Sequence, residues 1–171
     1  MPQIDLPFDP AVLQLHVLAR LLTAAVLGAA IGLERQIKGK EAGLRTHILI
    51  CLGAALLTVM SVEIVAPYAR AYHTGDVGRI ASNIATGVGF LGGGAIMQAR
   101  GRVRGLTTAA TIWIVAAIGM AAGAGAYVPA VGTTVLVVVI LLPLGAWERR
   151  YFSRLRSRAR MHVLTEREKE E

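Results

Sequence analysis

The run LQLHVLARLLTAAVLGAAIGL, Leu13 to Leu33, decides the reading of the whole chain, because a single charged residue, Arg20, interrupts it. At about 1.5 Å of rise per residue, a helix of this length crosses the roughly 30 Å of bilayer hydrocarbon. Four more apolar runs of similar length follow it: Thr46 to Ala66, Ile80 to Ala99, Leu106 to Ala126 and Val128 to Trp147. Together the five take up most of the 171 residues and leave short connections and a tail. The expected fold is all-α, a polytopic membrane protein with five transmembrane helices over residues 13–147. No room remains for a soluble catalytic domain.

Composition points the same way. Hydrophobic residues make up 54% of the chain and charged residues 17%, and the mean hydropathy is +0.56, too apolar for a surface that is wet all round. Aromatic residues reach only 5% while there are 19 glycines, the balance of tightly packed membrane helices. Cys51 is the only cysteine, which excludes an intrachain disulfide scaffold and a Cys-based zinc site. The first span is preceded by Asp5 and Asp9 and its apolar run is long, so it is expected to stay as a membrane anchor and not to be cleaved as a signal.

The net charge of +7 acquires meaning from its distribution. Arg35, Lys38, Lys40 and Arg45 lie in the first connection, Arg100, Arg102 and Arg104 in the third, and Arg149, Arg150, Arg154, Arg156, Arg158 and Arg160 at the start of the tail. The intervening connections hold only Arg70 and Arg79. Short basic loops stay in the cytoplasm, so residues 1–12 are expected in the periplasm and residues 148–171 in the cytoplasm, in a bacterial inner membrane. In the tail, Trp147, Tyr151, Leu155 and Ala159 recur at helical spacing between the arginines, which reads as an amphipathic helix on anionic lipid, not as a nucleic-acid arm.

Within the spans, small residues recur every four positions. Gly28 and Gly32, Gly119 and Gly123, and the cluster Gly87, Gly89, Gly92, Gly93 and Gly94 are expected to let helix backbones approach closely. Gly87, Gly89 and Gly92 also fit the literal dinucleotide pattern G-x-G-x-x-G, but without the strand and water-facing helix start which that chemistry needs. Glycine ridges on this many helices suggest a homodimer.

Arg20 shares a helix face with Gly28 and Gly32, so its charge is expected to point into the bundle. Glu63 is the nearest partner by depth, although α-helical phase turns it away from Thr58 and Ser61. Asn83 and Thr86 are the alternative partners. At the cytoplasmic level Glu34, Arg35, Arg45, Thr46, Arg104, Thr107, Thr108 and Thr111 come from the ends of three helices and form a rim. With two helix starts there, the rim suits a phosphate, a lipid headgroup or a partner's carboxylate. There is no catalytic triad, P-loop or metal-spaced His pair, so neither an enzyme nor a bound cofactor or metal is expected.

The stretches LLTAAVLGAAIGLERQ (Leu21 to Gln36), AGLRTHILICLGAALLT (Ala42 to Thr58), RIASNIATGVGFLGGGAIM (Arg79 to Met97) and VRGLTTAATIWIVAAIGMAAGAG (Val103 to Gly125) resemble the MgtC/SapB family of bacterial inner-membrane proteins. The resemblance implies a multi-pass protein with no known catalytic reaction, linked to adaptation to low Mg²⁺ and to virulence. It further implies action on other membrane machinery, the F-type ATP synthase included, with a small ion or solute transporter as the alternative. The short charged tail after Trp147 resembles the SapB-like form, and Thr107 stands where some relatives carry Asn.

Overall fold

The computed structural model describes residues 10–65, 78–99 and 102–144. Five helices occupy them: α1 (Pro10–Ile37), α2 (Leu44–Met60), α3 (Gly78–Gly94), α4 (Leu106–Gly123) and α5 (Tyr127–Val139). Two helices run on into a wider π turn, α2 through Ser61–Val65 and α5 through Ile140–Leu144. The third connection is a small antiparallel ribbon, β1 (Met97–Ala99) with β2 (Arg102–Arg104), in which Met97 faces Arg104 and Ala99 faces Arg102. Helices thus form where the apolar runs predict them, while the basic third connection is paired strand and not open loop. Residues 1–9, the end of the fifth apolar run at 145–147, and the tail 148–171 with the six arginines expected to lie on lipid fall outside the described residues.

Among the described residues, three helical stretches are long and apolar enough to cross a membrane: Gln14–Ile37, Leu44–Glu63 and Leu106–Gly123. Tyr127–Leu142 is apolar but shorter. The third apolar run ends early as a helix, because Gly92, Gly93 and Gly94 lower helix propensity and the chain turns at Ala95 into the ribbon.

Packing is inverted relative to a water-soluble bundle. Many buried positions are small, with Ala24, Ala55, Ala122 and Ala130 fully enclosed beside Ile31, Val115 and Ile118, whereas Val26, Phe90, Trp113 and Val128 face outward, Phe90 at 83% and Val128 at 86% exposure. Lipid tails provide no drive to hide large apolar side chains, so contact between helices is won by backbone approach through small residues. A Cβ on Gly28 would stand 2.8 Å from the Cβ of Cys51, and one on Gly32 would stand 2.8 Å from the Cα of Leu44. A Cβ on Gly119 would run into the carbonyl of Cys51, and one on Gly123 into the carbonyl of Ala55. These contacts set the register: α1 runs antiparallel to α2, α4 runs parallel to it, and Cys51 sits where the three meet.

Against this trio α3 lays Ile84, Val88 and Gly92, with Ile112, Ala116 and Ala54 in the same cluster. Gly87, Gly89, Gly93 and Gly94 pack differently: among the described residues nothing lies within 4 Å of where their Cβ would be. Gly87 instead borders an open apolar groove of about 920 Å³ between α2 and α3, whose lining includes Leu49, Gly53, Leu57 and Asn83. By contact the chain divides after Val135. The described part of the second unit, 136–144, is helical and closes in the π turn containing Pro143, a residue with no N–H to give to a regular turn.

Candidate functional site

The basic end, where α1 stops and α2 and α4 begin, is shaped first by how α1 terminates. Gly39 has φ of +59°, a conformation open to glycine. It lets Gly39 donate to the Gln36 carbonyl and Lys40 to that of Arg35. The chain then reverses within seven residues, and Gln36 reaches across to the new helix, its Oε1 accepting from the Leu44 amide at 3.3 Å. Neither α2 nor α4 has a side-chain cap of its own; Gly43 and Gly105 precede them.

This reversal buries a charged cluster. Arg35 Nε lies 3.0 Å from Glu34 Oε2 and Lys38 Nζ 2.6 Å from Glu34 Oε1, with Glu34 and Arg35 side chains only 5% and 4% exposed. The contacts are ion pairs at close range without aligned hydrogen bonds. Removing one member would strand the other charge in a low-dielectric setting, at a cost of about 3–5 kcal/mol. His47, in the first turn of α2, is fully buried and donates through Nδ1 to the Gly43 carbonyl at 2.8 Å. Arg35 Nη1 and His47 Nε2 have no hydrogen-bond partner among the described residues, and each such buried group costs about 1–3 kcal/mol.

From α4, Thr108 and Thr111 are buried, and Thr111 donates to the Thr108 carbonyl at 2.8 Å. Thr108 Oγ1 donates at 3.3 Å to Glu41 in the connection after α1. Glu41 is held below the ordinary carboxylate range, first by hydrogen bonding with its own backbone, then by Thr108, with help from Lys40 and Arg104. The eight rim residues therefore divide in two. Glu34, Arg35, Thr108 and Thr111 are buried, whereas Arg45, Thr46, Arg104 and Thr107 are exposed around them.

At the opposite end Arg20 reaches Glu63, Nη1 to Oε1 at 2.7 Å, and the same nitrogen donates to the Gly123 carbonyl at 3.3 Å. One guanidinium thus joins α1, the π turn after α2 and the C-terminal end of α4. Asn83 and Thr86 are exposed on α3, and Thr86 donates to the Ser82 carbonyl at 3.0 Å. The glycines of the sequence ridges are divided as well: Gly28, Gly32, Gly119 and Gly123 are consumed in packing within one protomer, so they no longer argue for a dimer.

The sequence pattern of the MgtC family matches residues 21–150. The chain belongs to the MgtC family. It is 46% identical over 123 residues to YhiD of Escherichia coli K12, provisionally named a magnesium transporter, covering 71% of this chain and 57% of that protein. It is 41% identical over 130 residues to MgtC of Salmonella typhimurium LT2, covering 76% of this chain and 53% of that one. A protein of Haemophilus influenzae is 39% identical over 150 residues, covering 84% of this chain and 63% of its own length. The chain thus spans between about half and under two thirds of the length of these relatives. No solved structure matches it.

In this MgtC-family chain the site includes residues that sequence reasoning passed over. Lys38 was legible as the i+4 neighbour of Glu34. His47 was not, because a histidine in the first turn of an apolar helix carries no local mark of burial. Glu41 and Gln36 act through the loop reversal, which no periodicity encodes.

Proposed function

We propose that this protein is a non-enzymatic, multi-pass inner-membrane component of Mg²⁺ handling that acts by contacting other membrane machinery through its cytoplasmic end. The observation that carries the reading is the buried Glu34 and Arg35 pair, joined by half-buried Lys38 and ringed by exposed Arg45 and Arg104. Buried charge is costly in a membrane helix bundle and is kept where it serves a site. The exposed ring offers guanidinium forks for carboxylate or phosphate. Orientation follows from the basic first and third connections. The names of the MgtC-family relatives support a part in Mg²⁺ physiology. The family resemblance makes the F-type ATP synthase one machine of the kind that would be contacted, and extends the proposal to a role in virulence.

A second reading, transport of Mg²⁺ as substrate, is favoured by the name given to the Escherichia coli relative. Purified protein in sealed vesicles loaded with a Mg²⁺-sensitive dye distinguishes the two. The regulator reading expects leakage no greater than in empty vesicles, and saturable Mg²⁺ flux would replace it with the transporter reading. Crosslinking in native membranes, followed by identification of captured proteins, should yield an inner-membrane complex whose capture depends on Arg45 and Arg104.

A further inference from the structure

Five buried side-chain atoms at the basic end lack hydrogen-bond partners among the described residues; Glu34 Oε1, Glu34 Oε2 and Arg35 Nε are engaged in ion pairs, and the remaining two are of opposite kind. Arg35 Nη1 can only donate. His47 Nδ1 faces the Gly43 carbonyl at 2.8 Å, and a carbonyl can only accept, so the ring hydrogen is on Nδ1 and the neutral ring presents a bare lone pair at Nε2. The two share one place in the bundle. A Cβ on Gly32 would lie 3.0 Å from that of His47, and Arg35 is the next residue along the same face of α1. From α4, Thr111 precedes Gly119 by about two turns, and Gly119 abuts Cys51, so Thr111 stands level with the start of α2. Thr108 lies a turn further out, and Glu41 accepts a hydrogen bond from its hydroxyl.

We propose that Arg35 and His47 together bind a phosphate group that still carries a proton, the chemistry shared by inorganic phosphate and phosphomonoesters. Arg35 and Lys38 outnumber Glu34 in charge, which favours an anion. Arg35 Nη1 takes an anionic oxygen as acceptor, and only a P–OH gives His47 Nε2 the donor it requires. Sulfate, fully deprotonated near neutral pH, sets a lone pair against a lone pair there. A phosphodiester, the headgroup linkage of common phospholipids, meets the same objection. Glu41 is the chain's own carboxylate on the approach, placed among Lys40, Arg104 and Thr108, and the incoming group displaces it. This proposal deepens, and rests on, the reading of the basic end as the working surface.

The test uses the purified full chain in detergent micelles, with equilibrium binding of radiolabelled inorganic phosphate and sulfate as competitor. Phosphate should bind saturably and sulfate at least about tenfold more weakly, the penalty for a buried acceptor left without a donor. His47→Leu should lose phosphate binding, whereas His47→Gln, whose amide oxygen can stand near the place of Nε2, should keep most of it. If His47→Leu does not fold, the wild-type preference for phosphate over sulfate decides alone. Glu41→Gln, at an exposed loop position, should tighten phosphate without altering that preference. Vesicles of phosphatidic acid, a monoester, compared with phosphatidylglycerol, a diester, separate the sources: competition by phosphatidic acid assigns a lipid, and its absence assigns free phosphate. Equal binding of sulfate, phosphate binding that survives His47→Leu in folded protein, or no binding of either phosphate or phosphatidic acid overturns the site. Loss of growth complementation in Arg45 and Arg104 variants is a separate readout, so the working-surface reading fails on growth and this one on binding.

Discussion

Arg20 and Glu63, 43 residues apart, meet at 2.7 Å, with Glu63 inside the π turn into which α2 widens. In a continued α-helix each residue turns by about 100°, which points Glu63 away from Thr58 and Ser61. The wider π turn, Ser61–Val65, changes that phase and brings the carboxylate round to α1. Both side chains are under a third exposed. Glu63→Gln should therefore lower stability in micelles by about 1–2 kcal/mol, the worth of a charge-assisted hydrogen bond partly open to solvent. A double-mutant cycle with Arg20→Gln, read by thermal unfolding, should show the two losses to be non-additive.

The glycines should respond to enlargement in two groups. Gly28→Leu and Gly119→Leu place a side chain against the backbone and Cβ of α2, so each should greatly reduce folded protein in the membrane. Gly89→Leu and Gly93→Leu enter open space and should leave protein level and melting temperature nearly unchanged. Membrane immunoblots and thermal unfolding of the four variants check this. Similar losses in both groups would show that the α3 glycines are packed against another chain.

The ridges at Gly28 and Gly119 were legible because four-residue spacing is a local property of helices. That Gly87, Gly89, Gly93 and Gly94 lie open while Gly92 packs was not, since only the position of α3 on the flank of the trio sets them apart. Glu34 and Arg35 were legible as the end of a span, and their burial was not, because it depends on Gly39 turning the chain and Gln36 tying it to α2. The phase of Glu63 could not be read at all while the run was taken as uniform α-helix.

Glu41 supplies a pH dependence with a definite sign. Its carboxyl is held below the ordinary range, so the contact with Thr108 is fully formed above the ordinary carboxylate value and is lost as pH falls through the lowered one. Thr108→Val should move the titration of Glu41 back up toward the ordinary value. Carbon NMR of a labelled Glu41 side chain measures the shift, and an unchanged titration in Thr108→Val would show that Thr108 does not hold it.

Topology is open to direct chemical test. In a Cys51→Ser background, single cysteines at Tyr127 should react with an impermeant thiol reagent added to intact cells, and cysteines at Lys38 or Arg104 only after the membrane is opened. Labelling of Lys38→Cys in intact cells would place the basic end outside and remove the cytoplasmic partner from consideration.

The central claim is that the end holding buried Glu34 and Arg35 and exposed Arg45 and Arg104 is where the protein does its work. Arg45 and Arg104 are the residues to change, since both are exposed and neither holds the bundle together. The measurement is growth in limiting Mg²⁺ of a strain lacking the protein, complemented with wild type, Arg45→Ala, Arg104→Ala or Arg45→Lys, with membrane level and melting temperature measured alongside. The account predicts that both Ala variants fail to restore growth at normal level and stability, and that Arg45→Lys restores it only in part, because it keeps the charge and loses the bidentate fork. Full complementation by all three variants would contradict it and make these arginines anchors to lipid.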